Sequence, residues 1–294
     1  MDIGVAVGDV RGPVSAHDLL AQARQAQAAG IGTVWASQGL GWDSLIALAT
    51  VGAHVPGLQL GAAVVPVPQR HPLVLAAQAL SVQAATGNRL TLGIGAGVST
   101  LTKRMYGRTE DRPARRIREY LDVLLPLLRG ESVDHDGETL VAAGAVSVPG
   151  AQAPRTLLAA LGPAMLRVAG ELTDGTVTWM TGVRTLADHI VPTISRHHPH
   201  PRVVAGLLTC VTDDEAGTRQ RISEQFAIAG QVAEYRAMLD REGAAHPGDV
   251  VVAGDEDTVT KHLASLRDAG VTDFLAVPYG STEEQLRTLT VLAG

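Results

Sequence analysis

Short apolar runs alternate with longer segments of helical periodicity along the whole chain. Ile3–Val7 is a β-branched run. After it Leu19, Leu20, Ala23 and Ala26 recur at helical spacing, with Ser15 placed to cap the segment and Gly30 to end it. The unit then repeats as Thr33–Ser37 with a helix opened by Asp43, Leu58–Val65 with Pro72–Ala85, and Arg89–Gly95 with Arg112–Arg129. Pro126 should kink or shorten the last of these helices. Gly130–Pro154, rich in Gly and Pro, breaks the rhythm and reads as an insertion of hairpin character between the fourth and fifth strands. The rhythm resumes with Thr156–Ala160 and Ala164–Leu172, Gly175–Met180 and Thr185–Ser195, and Val203–Val211 followed by a long helical region, Asp213–Glu242. A helix over Gly254–Ala269 capped by Asp255, the strand Asp273–Pro278 and the helix Glu283–Leu292 complete the chain.

Strands that alternate with helices imply a parallel sheet. Runs such as LGAAVV and TLLAAL lack a polar face, so both sides of that sheet are buried. Eight such units close most naturally as a (β/α)8 barrel, a TIM barrel, in one domain over residues 1–294. An open doubly wound sheet is the alternative. Gly93-Ile94-Gly95-Ala96-Gly97 has the wrong spacing for a dinucleotide fingerprint and leads into a loop, Val98–Asp111.

Composition narrows the function. Aromatic residues make up 3% of the chain and the net charge is −6, which argues against nucleic acid or an anionic membrane surface as partner. The single cysteine, Cys210, reads as a buried apolar residue and suits a reducing cytoplasm. The N-terminus lacks a secretory signal pattern, and no apolar run approaches the length of a membrane span.

A barrel carries its site at the C-terminal ends of its strands. Those ends hold Ser37 and Gln38, Val64–His71, Gly95–Ser99, Leu161-Gly162-Pro163, Thr178–Gly182, Thr209–Thr212 and Pro278–Gly280. The two lysines, Lys103 and Lys261, lie off the strands, which disfavours a Schiff base. No strand end carries a metal-ligand cluster, and His197, His198 and His200 read as a solvated turn, so no metal is expected. No nucleophile elbow is present. His71 reads as a helix-entry residue, and the arginines 112, 115, 116 and 118 as a solvated, ion-paired helix face. The rim offers main chain instead: glycines that admit a ligand, and Pro163 opening a helix whose next amides favour a phosphate. A bound cofactor would then supply the chemistry.

The run AAVVPVPQRHPLVLAAQALSVQAATGNRLTLGIGAG, then MYGR and RPARRIREYLDVLLPLLRGE, resembles the bacterial-luciferase-like (β/α)8 oxidoreductases. With AALGPAMLRVAGELTDGTVTWMTG and the tail GDEDTVTKHLASLRDAGVTDFLAVPYG, it is most similar to the actinobacterial branch that uses the deazaflavin coenzyme F420, with FMN as the alternative cofactor. The resemblance implies a non-prolyl cis peptide at Ala62–Ala63 with Val64 beside it, backing the ring. It implies that Gly95, Ala96 and Gly97 line the ring and ribityl chain, that Leu161 and Gly162 take the phosphate, that Trp179, Met180 and Thr181 flank the tail, and that Ser37 meets the ring edge or the substrate. Relatives that oxidise a sugar phosphate carry a histidine and a glutamate where this chain has Gln38 and Val98, so reduction of an activated C=C, C=N or C=O bond is the expected direction. Gln38, through a bound water, Tyr106 and solvent are the candidate proton donors. A homodimer acting on a small molecule is implied. An FMN-dependent monooxygenase and a non-catalytic cofactor-binding barrel are the alternatives.

Overall fold

The computed structural model of the chain describes residues 1–107 and 112–294. Its strands are β1 (Asp2–Val7), β2 (Thr33–Ala36), β3 (Gln59–Pro66), β4 (Leu90–Gly95), β5 (Val133–Asp136), β6 (Val141–Gly144), β7 (Arg155–Ala159), β8 (Gly175–Trp179), β9 (Arg202–Val211), β10 (Val252–Gly254) and β11 (Asp273–Pro278). Eight of them pair in parallel in the order β1-β2-β3-β4-β7-β8-β9-β11, and β11 returns to β1 to close a TIM barrel. β5 and β6 form a separate antiparallel hairpin within the Gly130–Pro154 stretch.

Side chains alternate across the barrel wall except at a bulge in β3. On β9, Val203, Ala205 and Leu207 pack outward under the helices, while Val204 and Leu208 point into the barrel. The interior is filled by Ala6, Trp35, Leu157, Val177, Val204, Leu208, Leu275 and Val277. Trp35 is the largest of these and is 2% exposed. It fits because two glycines face it: a Cβ on Gly4 would lie 2.6 Å from the indole Nε1, and one on Gly61 would overlap the six-membered ring. Arg202, held by Asp273 and donating to Thr91 Oγ1 at 3.1 Å, stacks 5.7 Å over the indole. Gly61→Ala is therefore expected to overpack this layer and cost about 1–3 kcal/mol, measured by urea unfolding.

Local signals place most elements. Ser15 and Asp18 form a reciprocal capping box, Asp43 caps Ser44–His54, and Asp255 caps Glu256–Asp268. Pro126 lies in the last turn of Pro113–Leu128, which ends two residues later, so it shortens the helix. Four expectations differ in detail. Ser37 lies just beyond β2. The Val98–Asp111 loop contains a helix, Ser99–Tyr106, while residues 108–111 lie outside the described residues. The Asp213–Glu242 region is three helices, Glu215–Gln225, Ala227–Gly230 and Ala233–Glu242, because Phe226 and Val232 end and restart the pattern. β10 is an additional strand, pairing with the end of β9 at Thr209–Val211. It was hidden because three residues are too few to show a period.

Cys210 is fully buried on β9, and desolvation, with Glu284 nearby, pushes its thiol up to about 11. A raised thiol pKa means less thiolate at neutral pH. Dithionitrobenzoate at pH 8 is expected to label Cys210 only after denaturation; labelling of the folded protein at a free-thiol rate would contradict this.

Candidate active site

The C-terminal mouth of the barrel is closed from below by the interior side chains and rimmed by partly buried Val10, Ala63, Val64, Trp179, Phe226 and Tyr279. Two of these exist because β3 bulges. Its register with β4 runs Ala62 to Leu92, then jumps to Val65 against Ile94. Ala62 and Val65 belong to the outer core, whereas the two residues between them, Ala63 and Val64, both pack against the barrel interior. The non-prolyl cis peptide is Ala63–Val64, not Ala62–Ala63. Ala62 still keeps its place in the ladder, so the irregular bond falls between the two displaced residues. Ala62 itself is 0% exposed beneath the helices and contributes no side chain to the mouth.

β4 is shaped to receive that bulge. A Cβ on Gly93 would overlap the Ala62 carbonyl oxygen and approach Val64 Cγ1 at 3.1 Å, and one on Gly95 would meet Val64 Cγ2 at 2.8 Å. Gly95 therefore gives its space to the Val64 side chain. Ala96 is partly exposed above it. Gly97 has φ +80°, and a Cβ there would lie 2.8 Å from Thr102 Oγ1.

Across the barrel, Trp179 lies over Gly206, whose hypothetical Cβ would be 3.2 Å from Trp179 Cε3, and meets Phe226 edge-on with centroids 6.4 Å apart. Met180 has φ +52° and turns the chain sharply. Met180 and Thr181 are both buried, and Thr181 Oγ1 donates to the Trp179 carbonyl at 3.2 Å. Of the three residues expected beside a cofactor tail, Trp179 alone reaches the mouth.

The two helix N-termini that follow β7 and β8 differ. After β8, Glu242 accepts from the amides of Arg184 and Thr185 at 3.1 and 2.7 Å, so that end already holds a carboxylate. After β7, Gly162 precedes Pro163 in the helix Pro163–Leu172, no side chain caps that end, and nothing lies within 4 Å of a Cβ placed on Gly162. Buried His189 steadies the turn through a 2.8 Å hydrogen bond between Nε2 and the Leu161 carbonyl. This second end can accept an anion from outside.

On the β2–β3 side, Gln38 and Tyr106 converge on Gln69: Gln38 Nε2 donates to Gln69 Oε1 at 3.4 Å, and Gln69 Nε2 donates to Tyr106 Oη at 2.6 Å. Arg70 is nearly buried. It pairs with Asp43, donates from Nη2 to Gln38 Oε1 at 3.1 Å and from Nε to Gln78 Oε1 at 3.0 Å. Ser37 is partly exposed on the same side of the rim. His71 caps Pro72–Thr86, accepting from Leu73 N–H at Nδ1 while Nε2 faces the Val141 carbonyl at 2.9 Å; both ring nitrogens are engaged. Arg112 and Arg115 pair with Glu138, and Arg118 with Glu171. His198 Nδ1 accepts the His200 amide within a turn. Among the described residues no helix is long and apolar enough to cross a membrane.

The family model described as luciferase-like monooxygenase matches residues 2–273. The chain belongs to the luciferase-like monooxygenase family. A putative coenzyme F420-dependent oxidoreductase of Mycobacterium tuberculosis is 26% identical over 347 aligned positions, covering 99% of each chain. Two solved structures share the fold. An F420-dependent secondary alcohol dehydrogenase in complex with an F420–acetone adduct superposes with a TM-score of 0.82 at 14% identity, covering 99% of this chain and 97% of the other. The oxygenating constituent of 3,6-diketocamphane monooxygenase from Pseudomonas putida, in complex with FMN, superposes with a TM-score of 0.76 at 18% identity, covering 100% and 97%.

This luciferase-like protein is an enzyme, and its mouth contains residues that sequence reasoning passed over. Val10 lies in the 3-10 turn after β1 and Phe226 at the junction of two helices, places with no periodic signal, whereas Tyr279 belongs to the strand end Pro278–Gly280 without a role read from it. Gln69 falls within the strand end Val64–His71, but its place in a 3-10 turn between Gln38 and Tyr106 is visible only in the structure. Asp43, identified only as a helix cap, also holds Arg70. Phe226 carried one usable signal: it is one of only two phenylalanines in the chain.

Proposed function

We propose that this protein is an F420-dependent oxidoreductase that transfers a hydride between the deazaflavin and a small organic substrate, reducing an activated C=C, C=N or C=O bond. The observation that carries the reading is the pairing, on one rim, of an apolar platform at Ala63, Val64 and Trp179 with an uncapped helix N-terminus after Leu161-Gly162. A flat ring suits the first and its phosphate suits the second. Ala63 and Val64 would back the ring, Ala96 and Gly97 would border the ribityl chain, and Leu161, Gly162 and the following amides would hold the phosphate. Ser37 would meet the ring edge. When bound, the cofactor supplies the hydride chemistry. The protein's own residues orient the substrate, keep the mouth dry through their apolar surface and furnish the proton.

The likeness to an F420-dependent relative along the whole chain favours F420 over FMN. Titrating the purified protein with each cofactor tests the choice. Saturable binding of F420, and oxidation of its reduced form without oxygen uptake, is the expected result. FMN binding with oxygen uptake and no F420 binding would replace this reading with a monooxygenase.

The same reading includes a homodimer. The adjacent helices Ser44–His54 and Pro72–Thr86 contain no Asp, Glu, Lys or Arg, and they expose Ile46 and Val74. A charge-free outer surface of this kind suits burial against a second copy. Light scattering during gel filtration checks it.

A further inference from the structure

The hydrogen bonds around Gln69 have a direction, and Arg70 sets it. A guanidinium only donates. Its Nη2 faces Gln38 at 3.1 Å, so Gln38 must present its amide oxygen there. The Ser44 amide N–H, another group that can only donate, faces the same oxygen at 3.4 Å, and Ser44 Oγ lies 3.3 Å from it. Gln38 must then turn its NH2 toward Gln69, at 3.4 Å, and that amide in turn presents its oxygen. The Gln69 NH2 is left facing Tyr106 Oη at 2.6 Å. The phenol oxygen thus accepts from within, and its own proton points away from the relay. Gln38 and Gln69 follow the C-terminal ends of β2 and β3, and Tyr106 ends the helix Ser99–Tyr106 that follows β4, so the relay starts at the rim of the mouth and runs out to that helix. Its origin is fixed: Arg70 is held by Asp43 and Gln78, and its side chain is 8% exposed. Tyr106, at the other end, is 41% exposed.

We infer that Arg70, Gln38 and Gln69 form a one-way relay of positioning residues that aims the Tyr106 hydroxyl proton at the substrate, making Tyr106 the proton donor and Gln38 part of its support. Consecutive hydrogen bonds of one sense polarise each other and strengthen the terminal donor. The inference rests on the oxidoreductase reading above and narrows its substrate. The reducible bond must end in, or be conjugated to, an atom that accepts a hydrogen bond: a carbonyl, an imine or an enone, not an isolated alkene. In the step, the substrate carbon takes a hydride from the reduced deazaflavin. The π pair moves to the oxygen or nitrogen at the far end of the polarised system, and that atom takes the Tyr106 proton. Solvent returns a proton to the phenolate.

Resonance Raman spectroscopy reads the relay without substrate or cofactor. The tyrosine Fermi doublet of Tyr106, isolated as wild type minus Tyr106→Phe, distinguishes a phenol that accepts from one that donates strongly. The wild-type doublet should be that of an acceptor. Gln69→Glu replaces the inward donor with a carboxylate that only accepts, and should shift the doublet ratio severalfold toward a donating phenol. In turnover of reduced F420 with cyclohex-2-enone, Gln69→Glu should lower kcat at least tenfold, as Tyr106→Phe does, although the phenol is still present, and should leave KM for reduced F420 within twofold. A wild-type doublet of a strong donor, or wild-type kcat in Gln69→Glu, overturns the relay. If the wild type fails to bind F420 at all, the functional reading falls, and the doublet alone decides the relay.

Discussion

Trp35→Ala is expected to lower the unfolding free energy by about 3–5 kcal/mol, measured by chemical denaturation. The ring is almost fully buried in the barrel and fills the volume that Gly4 and Gly61 leave open. Those glycines cannot follow it inward, because their backbones are fixed in the β1–β2 and β2–β3 ladders. The cavity therefore stays, and Arg202 loses the ring face beneath it while keeping Asp273. The same geometry predicts a coupling. Gly61→Ala is costly beside the native indole but should be close to neutral once Trp35 is alanine, since the two changes share one space. Equal costs of Gly61→Ala in both backgrounds would show that Gly61 is required for another reason.

Gly162→Asp is expected to weaken F420 binding at least tenfold, about 1.4 kcal/mol or more, while leaving stability unchanged or a few tenths of a kcal/mol higher. The backbone at Gly162 is extended, with φ −83° and ψ 155°, and a new side chain meets nothing within 4 Å, so aspartate fits without strain. There it would cap the helix Pro163–Leu172 with its own carboxylate, as Glu242 already does for the amides of Arg184 and Thr185. A carboxylate that satisfies those amides competes with a phosphate for the same donors and repels it. The opposite signs separate a binding effect from a folding defect. Fluorescence titration with F420 and a thermal melt on the same preparation read both, and undiminished affinity would remove the phosphate from this helix end.

The arrangement of strands and helices was legible in the chain because each segment carries its own signal. Apolar runs without a polar face require burial on both sides, caps such as Ser15, Asp43 and Asp255 mark helix starts, and eight repeats of strand and helix close as a barrel. The family could also be recognised, since motif order and spacing are properties of the sequence, and so could the general place of the site, since a barrel puts it at the strand ends.

What remained hidden depended on contacts between segments far apart in the chain. Gly95 looks like room for a ligand when read along β4. Only the neighbouring strand shows that it makes room for Val64. The irregular bond falls at Ala63–Val64 because pairing with β4 holds Ala62 in register, and pairing is not written in β3 alone. Met180 and Thr181 read as rim residues until the left-handed turn at Met180 buries them. Arg70 is one residue in a strand-end run until Asp43, Gln78 and Gln38, brought from three other places in the sequence, engage its Nε and Nη2 and leave buried Nη1 without a partner among the described residues. Local periodicity records which face of an element is buried. It does not record which atom lies across the gap, and a binding mouth made of strand ends consists of such gaps.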